Sequence, residues 1–199
     1  MADINRYCPL CDIPMDEEIC PSHGVPTVTM DSFESEDEET LAPGTIIAGR
    51  FRVEHLLGHG GMGAVFLATQ LSMDRSVALK TLKKNLVNNQ LLVKRFYQEA
   101  RASSHLDHPN IIRIFDFGID NVTGIPYIAM EYLKGQTLEA LVEGKVPLSE
   151  LAICDIIQQV AKALVEAHQK GVIHRDLKPE NIMVRELADG ERQVKVLDF

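Results

Sequence analysis

Two pairs of potential metal ligands lie near the N-terminus. Cys8 and Cys11 are separated by Pro-Leu, and Cys20 and His23 are separated by Pro-Ser. Each spacing can bring two ligands to one ion from a tight turn, and three thiolates with one imidazole complete a closed tetrahedral zinc site. A segment this short buries too little apolar surface to fold alone, so a metal would supply most of its folding free energy. We therefore predict a structural zinc knuckle; free thiols or a Cys8–Cys11 redox pair are the alternative.

A glycine-rich segment between two strand-like runs could hold phosphate groups. It reads Leu57-Gly58-His59-Gly60-Gly61-Met62-Gly63-Ala64-Val65. Glycine lets the backbone approach phosphate oxygens closely. Dinucleotide-binding folds share this spacing, but there the loop opens a helix. Here a second strand-like run follows, and this favours a hairpin loop that covers phosphates.

Two opposite charges follow this loop. Lys80 ends the run Val77-Ala78-Leu79-Lys80, and Glu99 lies in Arg95-Phe96-Tyr97-Gln98-Glu99-Ala100. Lys80 could reach phosphates if a carboxylate such as Glu99 oriented it. For either residue alone, a solvated surface charge is the alternative.

The most informative stretch is Val172-Ile173-His174-Arg175-Asp176-Leu177-Lys178-Pro179-Glu180-Asn181. It follows a predicted long helix and precedes a predicted hairpin. The chain then ends Val196-Leu197-Asp198-Phe199.

Apolar patterning predicts the elements that position these groups. Strands are expected at 51–57, 64–70, 76–81, 111–117 and 126–131, a helix at 90–105, and a hairpin from 182–185 and 193–197. Ser149 is the predicted N-cap of a helix that ends near Lys170. That helix carries an apolar stripe of Ile153, Ile156, Ile157, Val160 and Leu164, and we expect Cys154 to pack in the core. Sheet comes first and helix mainly afterwards, which is an α+β arrangement.

Charge and hydropathy limit the functional classes. The 199 residues carry a net charge of −9. Residues 1–44 hold eleven acidic side chains and one basic, so they carry −10 and the remainder carries +1. No basic stripe points to nucleic acid, and the acidic, apolar-poor segment 31–44 is predicted to be a linker. No apolar run approaches the roughly 18 residues of a membrane span, and the N-terminus lacks a signal peptide. We therefore predict a cytoplasmic chain.

Five motifs follow one another along the chain: the glycine loop, Val-Ala-Leu-Lys, the helix with Glu99, the stretch from His174 to Asn181, and the final Asp-Phe. In this order they resemble the motifs of the bacterial Hanks-type (eukaryotic-like) serine/threonine protein kinases. The resemblance covers roughly residues 48–199. It implies a protein-kinase-like fold with a complete β-rich N-terminal lobe that holds one helix, and the start of a helical C-terminal lobe. The predicted domains are a zinc knuckle at 1–30, the acidic linker at 31–44, and an incomplete kinase domain at 45–199 with lobes at 45–133 and 134–199.

The resemblance also implies roles in transfer of the ATP γ-phosphate to serine or threonine hydroxyls of proteins. Lys80 would hold the α- and β-phosphates with Glu99 as its ion-pair partner. Asp176 would orient the acceptor hydroxyl, and Lys178 would neutralise the transferred phosphate. Asn181 and Asp198 would hold Mg²⁺. The glycine loop Gly58–Gly63 and Ala64 would cover the phosphates of ATP. Backbone groups of Glu131 and Leu133 would bind the adenine edge, next to the gatekeeper Met130. The adenine ring would be enclosed by Leu57, Val65, Ala78 and Met183.

The sequence departs from the family at its end, because it stops at Phe199 within the Asp-Phe-Gly motif. We expect either a fragment of a longer reading frame or a truncated gene. These residues alone are expected to catalyse inefficiently, with one face of the long helix exposed. A full-length protein could carry a membrane anchor beyond this point. The alternative functions are a truncated nucleotide-binding pseudokinase or a zinc-dependent scaffold.

Overall fold

The computed structural model describes residues 6–11, 13–25, 27–29, 41–144 and 147–199. Most of the predicted linker, residues 31–40, lies outside the described residues. The chain forms two compact units, one of Met1–Gln98 with Ile114–Tyr132 and one of Glu99–Arg113 with Leu133–Phe199. The domain bounds given above stay predictions. The predicted α+β arrangement is confirmed.

The first unit opens with a small two-stranded ribbon. β1 (Arg6–Tyr7) pairs antiparallel with β2 (Val28–Thr29). Side chains reinforce the ribbon, because the Arg6 Nε donates to Thr27 Oγ1 at 3.1 Å and that hydroxyl donates to the Glu17 carbonyl at 2.6 Å. These bonds hold the segment that carries the predicted zinc ligands.

A six-stranded antiparallel sheet makes up the rest of this unit, in the order β3-β4-β5-β6-β8-β7. The strands are β3 (Ile46–Ile47), β4 (Phe51–His59), β5 (Gly63–Gln70), β6 (Arg75–Leu82), β7 (Ile114–Ile119) and β8 (Pro126–Glu131). One face packs on a hydrophobic cluster of Ile47, Phe51, Val53, Phe66, Ala68, Val77, Leu79, Tyr127 and Ala129. β7 begins three residues later than predicted, because Ile111 instead forms a bridge with Val196 in the second unit.

Helix α1 (Gln90–Ser104) follows β6, after a 3-10 turn at Lys84–Leu86. The side-chain oxygen of Asn89 accepts a hydrogen bond from the Leu92 amide at 3.3 Å and satisfies one free donor of the first turn. Its buried side chains include Val93, Phe96, Tyr97 and Ala100. Their i, i+3, i+4, i+7 spacing gives one apolar face.

The second unit contains a long helix and a three-stranded sheet in the order β11-β10-β9. Its elements are β9 (Gln136–Thr137), α2 (Leu138–Val142), α3 (Glu150–Gln169), a 3-10 turn at Pro179–Asn181, β10 (Ile182–Glu186) and β11 (Arg192–Val196). Ser149 caps α3 as predicted, since its side chain accepts from the Ala152 amide at 3.2 Å. The core cluster is Leu106, Ile111, Ile156, Val160, Ala163, Ala167, Ile182, Val184, Val194, Val196 and Phe199.

The buried face of α3 differs from the predicted stripe. Ile156 and Val160 are buried, but the packed row otherwise consists of alanines, whose small side chains let β11 approach. Ile153 and Ile157 are 47% and 56% exposed. Cys154 is exposed as well, so its predicted place in the core is wrong. It shares the outward side of the helix with the two isoleucines.

Among the described residues, no helix combines the length and the apolar character that a membrane crossing requires.

Candidate active site and metal centre

Three predicted catalytic residues meet in the loop after α3. The Lys178 Nζ lies 3.0 Å from the Asp176 Oδ2. The Asn181 side-chain amide donates to the Asp176 carbonyl at 2.9 Å and to its Oδ2 at 3.3 Å. Asn181 is buried, whereas the Asp176 side chain is 68% exposed. The loop therefore presents an oriented carboxylate to solvent.

The charges of this cluster support one another. The hydrogen bond from Lys178, more than the opposing effect of burial, holds the pKa of Asp176 below its usual value, and Asn181 adds to this. The pKa of Lys178 is raised, first by its bond to Asp176 and further by Glu180 and Asp198. Asp176 is thus a carboxylate and Lys178 an ammonium at neutral pH, with Asp198 close enough to act on Lys178.

His174 joins the loop to the end of the chain. Its Nε2 lies 2.7 Å from the Leu197 carbonyl, which requires a proton on this nitrogen. Its ring also packs on Phe199, with centroids 4.8 Å apart. The Leu197 amide donates to the Asn181 carbonyl at 2.9 Å. These contacts hold Asp198 next to the catalytic loop.

Two residues of this region adopt a left-handed backbone. Arg175 has φ of 61° and Asp198 has φ of 55°. Non-glycine residues rarely take this conformation, at a cost of about 1–3 kcal/mol each. Strain of this kind clusters at functional sites. Here it lies at Arg175 in the predicted catalytic loop and at Asp198 in the C-terminal Asp-Phe motif.

The four glycines of the β4–β5 hairpin differ in what surrounds them. A side chain at Gly58, Gly60 or Gly61 would meet nothing within 4 Å. A Cβ at Gly63 would instead lie 2.0 Å from the Thr81 carbonyl oxygen. The first three glycines leave open space where a ligand can approach the backbone. Gly63 is required by the close approach of β5 to β6.

The sheet face opposite the hydrophobic cluster carries several predicted nucleotide contacts. Val65 is in register with Lys80, and Ala78 with Met130. Directly paired residues share a face, as do residues two apart along a strand. All four therefore lie on one face. The Ala64 side chain points the other way, since it packs against the cluster.

Other predicted contacts sit at strand ends and in turns. Leu57 is the extra residue of a β-bulge, because Leu56 pairs with Phe66 while Gly58 pairs with Val65. His59 and Met62 are exposed at the tip of the hairpin. The bulge and the hairpin tip leave these side chains at the open end of the loop.

In the second unit, Met183 pairs with Thr137 and with Lys195. Its neighbours Ile182 and Val184 point into the core, so Met183 lies on the opposite face. Leu133 is buried within this unit, and Glu131 ends β8 in the first. Glu99 is half-buried on α1 and falls in the second unit, whereas Lys80 falls in the first. Their pairing stays a prediction.

The predicted zinc ligands converge. The ligand atoms of Cys8, Cys11, Cys20 and His23 all lie within 4.8 Å of one another. The Cys11 and Cys20 sulfurs are 3.9 Å apart, and the His23 Nδ1 lies 3.5 Å from the Cys20 sulfur and 3.7 Å from the Cys8 sulfur. A tetrahedral zinc, with Zn–S of about 2.3 Å and Zn–N of about 2.0 Å, separates its ligands by roughly 3.5–3.8 Å. The donors therefore fit zinc.

The thiols of this cluster are unlike one another. Burial raises the pKa of Cys8 to about 11. For Cys20 the effect of burial is outweighed by hydrogen bonds from His23, Cys8 and nearby backbone amides, which lower its pKa to about 6.

Three structural contributors were not predicted from sequence. His174 and the backbone of Arg175 shape the loop, and the buried Lys195 donates from its Nζ to the Ile111 carbonyl at 3.2 Å. A signal for His174 was its place beside Asp176 in the motif. No sequence signal marks Lys195, because its neighbours in β11 follow no pattern that distinguishes a buried lysine from a surface lysine.

Comparisons with known proteins place these features in a family. The sequence family described as protein kinase domain matches residues 51–199. The serine/threonine-protein kinase pkn3 of Myxococcus xanthus is 50% identical over 156 residues, which are 78% of this chain and 28% of that protein. PrkC of Bacillus subtilis is 38% identical over 156 residues, 78% of this chain and 23% of PrkC. The chain thus spans about a quarter of the length of these curated relatives.

Comparison with solved structures identifies the same family. The PknI kinase domain of Mycobacterium tuberculosis matches with a TM-score of 0.66 and 30% identity, over 80% of this chain and 63% of that domain. The predicted family is therefore confirmed: the chain belongs to the protein kinase domain family, among the bacterial Hanks-type serine/threonine kinases.

Proposed function

We propose that this chain is the nucleotide-binding and catalytic-loop part of a kinase that transfers the γ-phosphate of ATP to serine or threonine hydroxyls of proteins. The observation that carries the proposal is the exposed Asp176 carboxylate, fixed by Lys178 and Asn181. The names of the relatives, which are serine/threonine-protein kinases, support the choice of acceptor.

In this proposal each residue of the loop has a distinct task. Asp176 orients the acceptor hydroxyl and takes its proton, since its lowered pKa keeps the carboxylate ionised at neutral pH. Lys178 leaves Asp176 to neutralise negative charge on the transferred phosphate. Asn181 and Asp198 hold Mg²⁺, which when bound neutralises charge on the phosphate oxygens.

The first unit supplies the nucleotide site. Lys80 holds the α- and β-phosphates, and Glu99 orients it. The exposed glycines at 58, 60 and 61 let backbone amides reach phosphate oxygens. Val65, Ala78 and Met130 share the Lys80 face and offer an apolar surface to the adenine ring. ATP and reduced thiols are both found in the cytoplasm, which we propose as the compartment.

The test compares Asp176→Asn with Asp189→Asn in the full-length protein. Both changes remove one exposed carboxylate, but Asp189 lies in the β10–β11 turn, where its Oδ1 accepts from the Glu191 amide. Loss of a general base costs about 10²–10⁴-fold. We therefore expect Asp176→Asn to reduce phosphotransfer at least about a hundredfold, with unchanged ATP affinity and unfolding midpoint, and Asp189→Asn to keep activity.

Equal activity in the Asp176→Asn protein would contradict this assignment. Phosphoamino-acid analysis of the product tests the acceptor, since phosphotyrosine as the main product would contradict the serine/threonine choice. Bound ATP without transfer by the unsubstituted full-length protein would favour the pseudokinase alternative.

We also propose that Cys8, Cys11, Cys20 and His23 hold one structural zinc ion. The support is that all four ligand atoms lie within 4.8 Å of one another, and that the three separations of 3.5, 3.7 and 3.9 Å are close to those around a tetrahedral ion. Such an ion stabilises the ribbon of β1 and β2, which has almost no hydrophobic core of its own.

The chain contains its own control for this test. Cys20→Ser removes a proposed ligand, whereas Cys154→Ser removes an exposed cysteine of α3. Elemental analysis should give one zinc per chain for the unsubstituted protein and for Cys154→Ser, and much less for Cys20→Ser. Full metal retention in Cys20→Ser, or a Cys8–Cys11 disulfide with no zinc in protein prepared under reducing conditions, would contradict the zinc site.

A further inference from the structure

The N-terminal knuckle, which runs from β1 to β2 in the first unit, contains two hairpins. In the first hairpin the Cys8 amide donates to the Ile13 carbonyl at 3.2 Å. One step further from the turn, the Met15 amide donates to the Arg6 carbonyl at 3.0 Å. The turn between these bonded segments carries Cys8 and Cys11. The first pair of proposed zinc ligands therefore belongs to a single hairpin.

The second hairpin has the same plan. The Cys20 amide donates to the Val25 carbonyl at 2.8 Å, and the Thr27 amide donates to the Glu18 carbonyl at 2.9 Å. Its turn carries Cys20 and His23. A metal bound by both pairs of ligands would therefore join the two hairpins, in addition to the pairing of β1 with β2.

Two sulfurs from different hairpins lie close to each other. The Cys11 Sγ is 3.9 Å from the Cys20 Sγ. Because the S–S bond of a disulfide is about 2.05 Å long, these sulfurs need to approach by only about 2 Å to form one. Such a bond would join the same two hairpins that the metal joins. A disulfide between Cys8 and Cys11 would instead lie within the first hairpin and join nothing across the knuckle.

The three thiols of the knuckle differ in their access to solvent. Cys8 and Cys20 are fully buried, whereas Cys11 is partly exposed. The susceptibility of a thiolate to oxidation follows its exposure. Cys11 is therefore the sulfur that a small oxidant reaches first, and Cys20 lies next to it as the second sulfur of a disulfide.

The chemistry balances as a two-electron oxidation by a hydroperoxide. Sulfurs that bind zinc are thiolates. The Cys11 thiolate attacks hydrogen peroxide, so that an S–O bond forms, the O–O bond breaks, and the leaving hydroxide takes a proton from solvent. The Cys20 thiolate then attacks the Cys11 sulfur, so that the S–S bond forms, the S–O bond breaks, and a second hydroxide leaves and is protonated. Two thiolates are oxidised to one disulfide, and one peroxide is reduced to two waters.

The oxidation also removes two of the four proposed zinc ligands. Cys8 and His23 remain, and two ligands do not complete a structural zinc site. The site therefore releases its metal. The new disulfide constrains the chain in its place, because it closes the loop between the two turns.

We propose that Cys11 and Cys20 form an oxidisable pair, which a hydroperoxide converts to a disulfide that displaces zinc and then joins the two hairpins in its place. The release of zinc rests on the proposed zinc site. The pairing of the two sulfurs does not, because it depends on their positions alone. Disulfides of cytoplasmic proteins are usually transient and redox-sensing, so thiol reductants should reverse this one.

Peroxide treatment of the full chain tests the pairing. The zinc-loaded unsubstituted chain is compared with Cys154→Ser, which lacks the exposed cysteine of α3. Zinc release is followed with a chelating dye, and zinc content is measured before oxidation. Differential alkylation with mass spectrometry then shows which sulfurs are bonded and which are free.

We expect both proteins to release one zinc per disulfide, with Cys11 bonded to Cys20 and Cys8 recovered as a free thiol. Reductant and added zinc should restore the starting state. A disulfide that contains Cys8 as the main product would overturn the proposal, as would sulfinic acid without a disulfide, or thiols that resist peroxide. A chain without zinc before oxidation contradicts the zinc site instead, and the disulfide formed in that chain still decides the pairing.

Hydrogen–deuterium exchange tests whether the disulfide replaces the metal. The readout is the exchange rate of the Met15 and Thr27 amides, one from each hairpin, in the zinc-loaded, the oxidised and the chelated, reduced chain. We expect the oxidised chain to exchange within about threefold of the zinc-loaded chain, and the chelated chain about tenfold faster or more. Exchange as fast in the oxidised as in the chelated chain would overturn the structural role of the disulfide. Slow exchange in all three states would overturn it too, since neither link would then be needed.

Discussion

Replacing Gly63 by alanine should destabilise the first unit, while the same change at Gly61 should not. At Gly63 the new Cβ would lie 2.0 Å from the Thr81 carbonyl oxygen and 3.1 Å from its carbon. Both partners are backbone, so neither can rotate away, and β5 and β6 must separate. At Gly61 the methyl group would enter open space. Neither glycine has the left-handed φ that favours glycine, so the space around the Cβ decides the effect of alanine at each position.

The expected magnitude follows from two opposing effects. Overpacking costs about 1–3 kcal/mol, and a rigid backbone contact belongs at the upper end. Alanine recovers about 0.5–1 kcal/mol relative to glycine in a strand, because it loses less conformational entropy on folding. The net loss in the free energy of unfolding is about 2 kcal/mol. For a chain of this size, that lowers the unfolding temperature by roughly 4–8 °C.

Urea and thermal unfolding, followed by circular dichroism, measure this loss directly. Gly61→Ala should unfold within about 0.5 kcal/mol of the unsubstituted chain, yet bind ATP more weakly if its amide approaches phosphate. Equal midpoints for the two variants would refute the argument that Gly63 is needed for strand packing. A large destabilisation by Gly61→Ala would refute the description of the loop tip as open.

Three further results are expected from the same unfolding measurements. The Asn110 side-chain amide donates to Gln159 Oε1 and to the Val194 carbonyl of β11, both at 2.8 Å, and Asn110→Ala should cost about 1–3 kcal/mol because both bonds are lost in the interior; no loss would contradict this. Ser149→Ala removes the cap of α3 and should cost about 1 kcal/mol, with Ser149→Asp as the variant that keeps it. Burial raises the pKa of Tyr127 to about 12, from about 10 in the unfolded chain, so the folded state holds this proton more tightly. Stability should therefore fall by about 2 kcal/mol between pH 10 and 12, and a Tyr127→Phe protein that shows the same fall would contradict this origin.

The sequence was informative where a local pattern is also the structural cause. β4, β5 and β6 were predictable because β-branched and apolar runs bounded by turn residues are what strands of a sheet require. The α3 start at Ser149 follows from the chemistry of capping. The convergence of the four proposed zinc ligands was predictable because the spacing within each pair suits a tight turn.

Features that depend on distant partners were not predictable in this way. β9 has two residues and exists because it pairs with β10, so no periodicity marks it. Four glycines look alike in the sequence, and only the approach of β6 distinguishes Gly63 from the rest. The apolar stripe predicted for α3 included residues that the structure leaves exposed. Helical spacing shows which residues are apolar and share a face, but not which of them contact β11.

The left-handed backbone at Arg175 and Asp198 has a consequence for how such a gene changes over time. Glycine, and to a lesser degree asparagine, adopts this conformation at lower cost than arginine. A stability gain of roughly 1 kcal/mol is thus open to a single substitution at either position. Only a requirement for the arginine and aspartate side chains opposes it. In lineages that no longer need phosphotransfer, these two positions should be among the first to drift to glycine or asparagine, and their occupants would then indicate whether selection on activity has been relaxed.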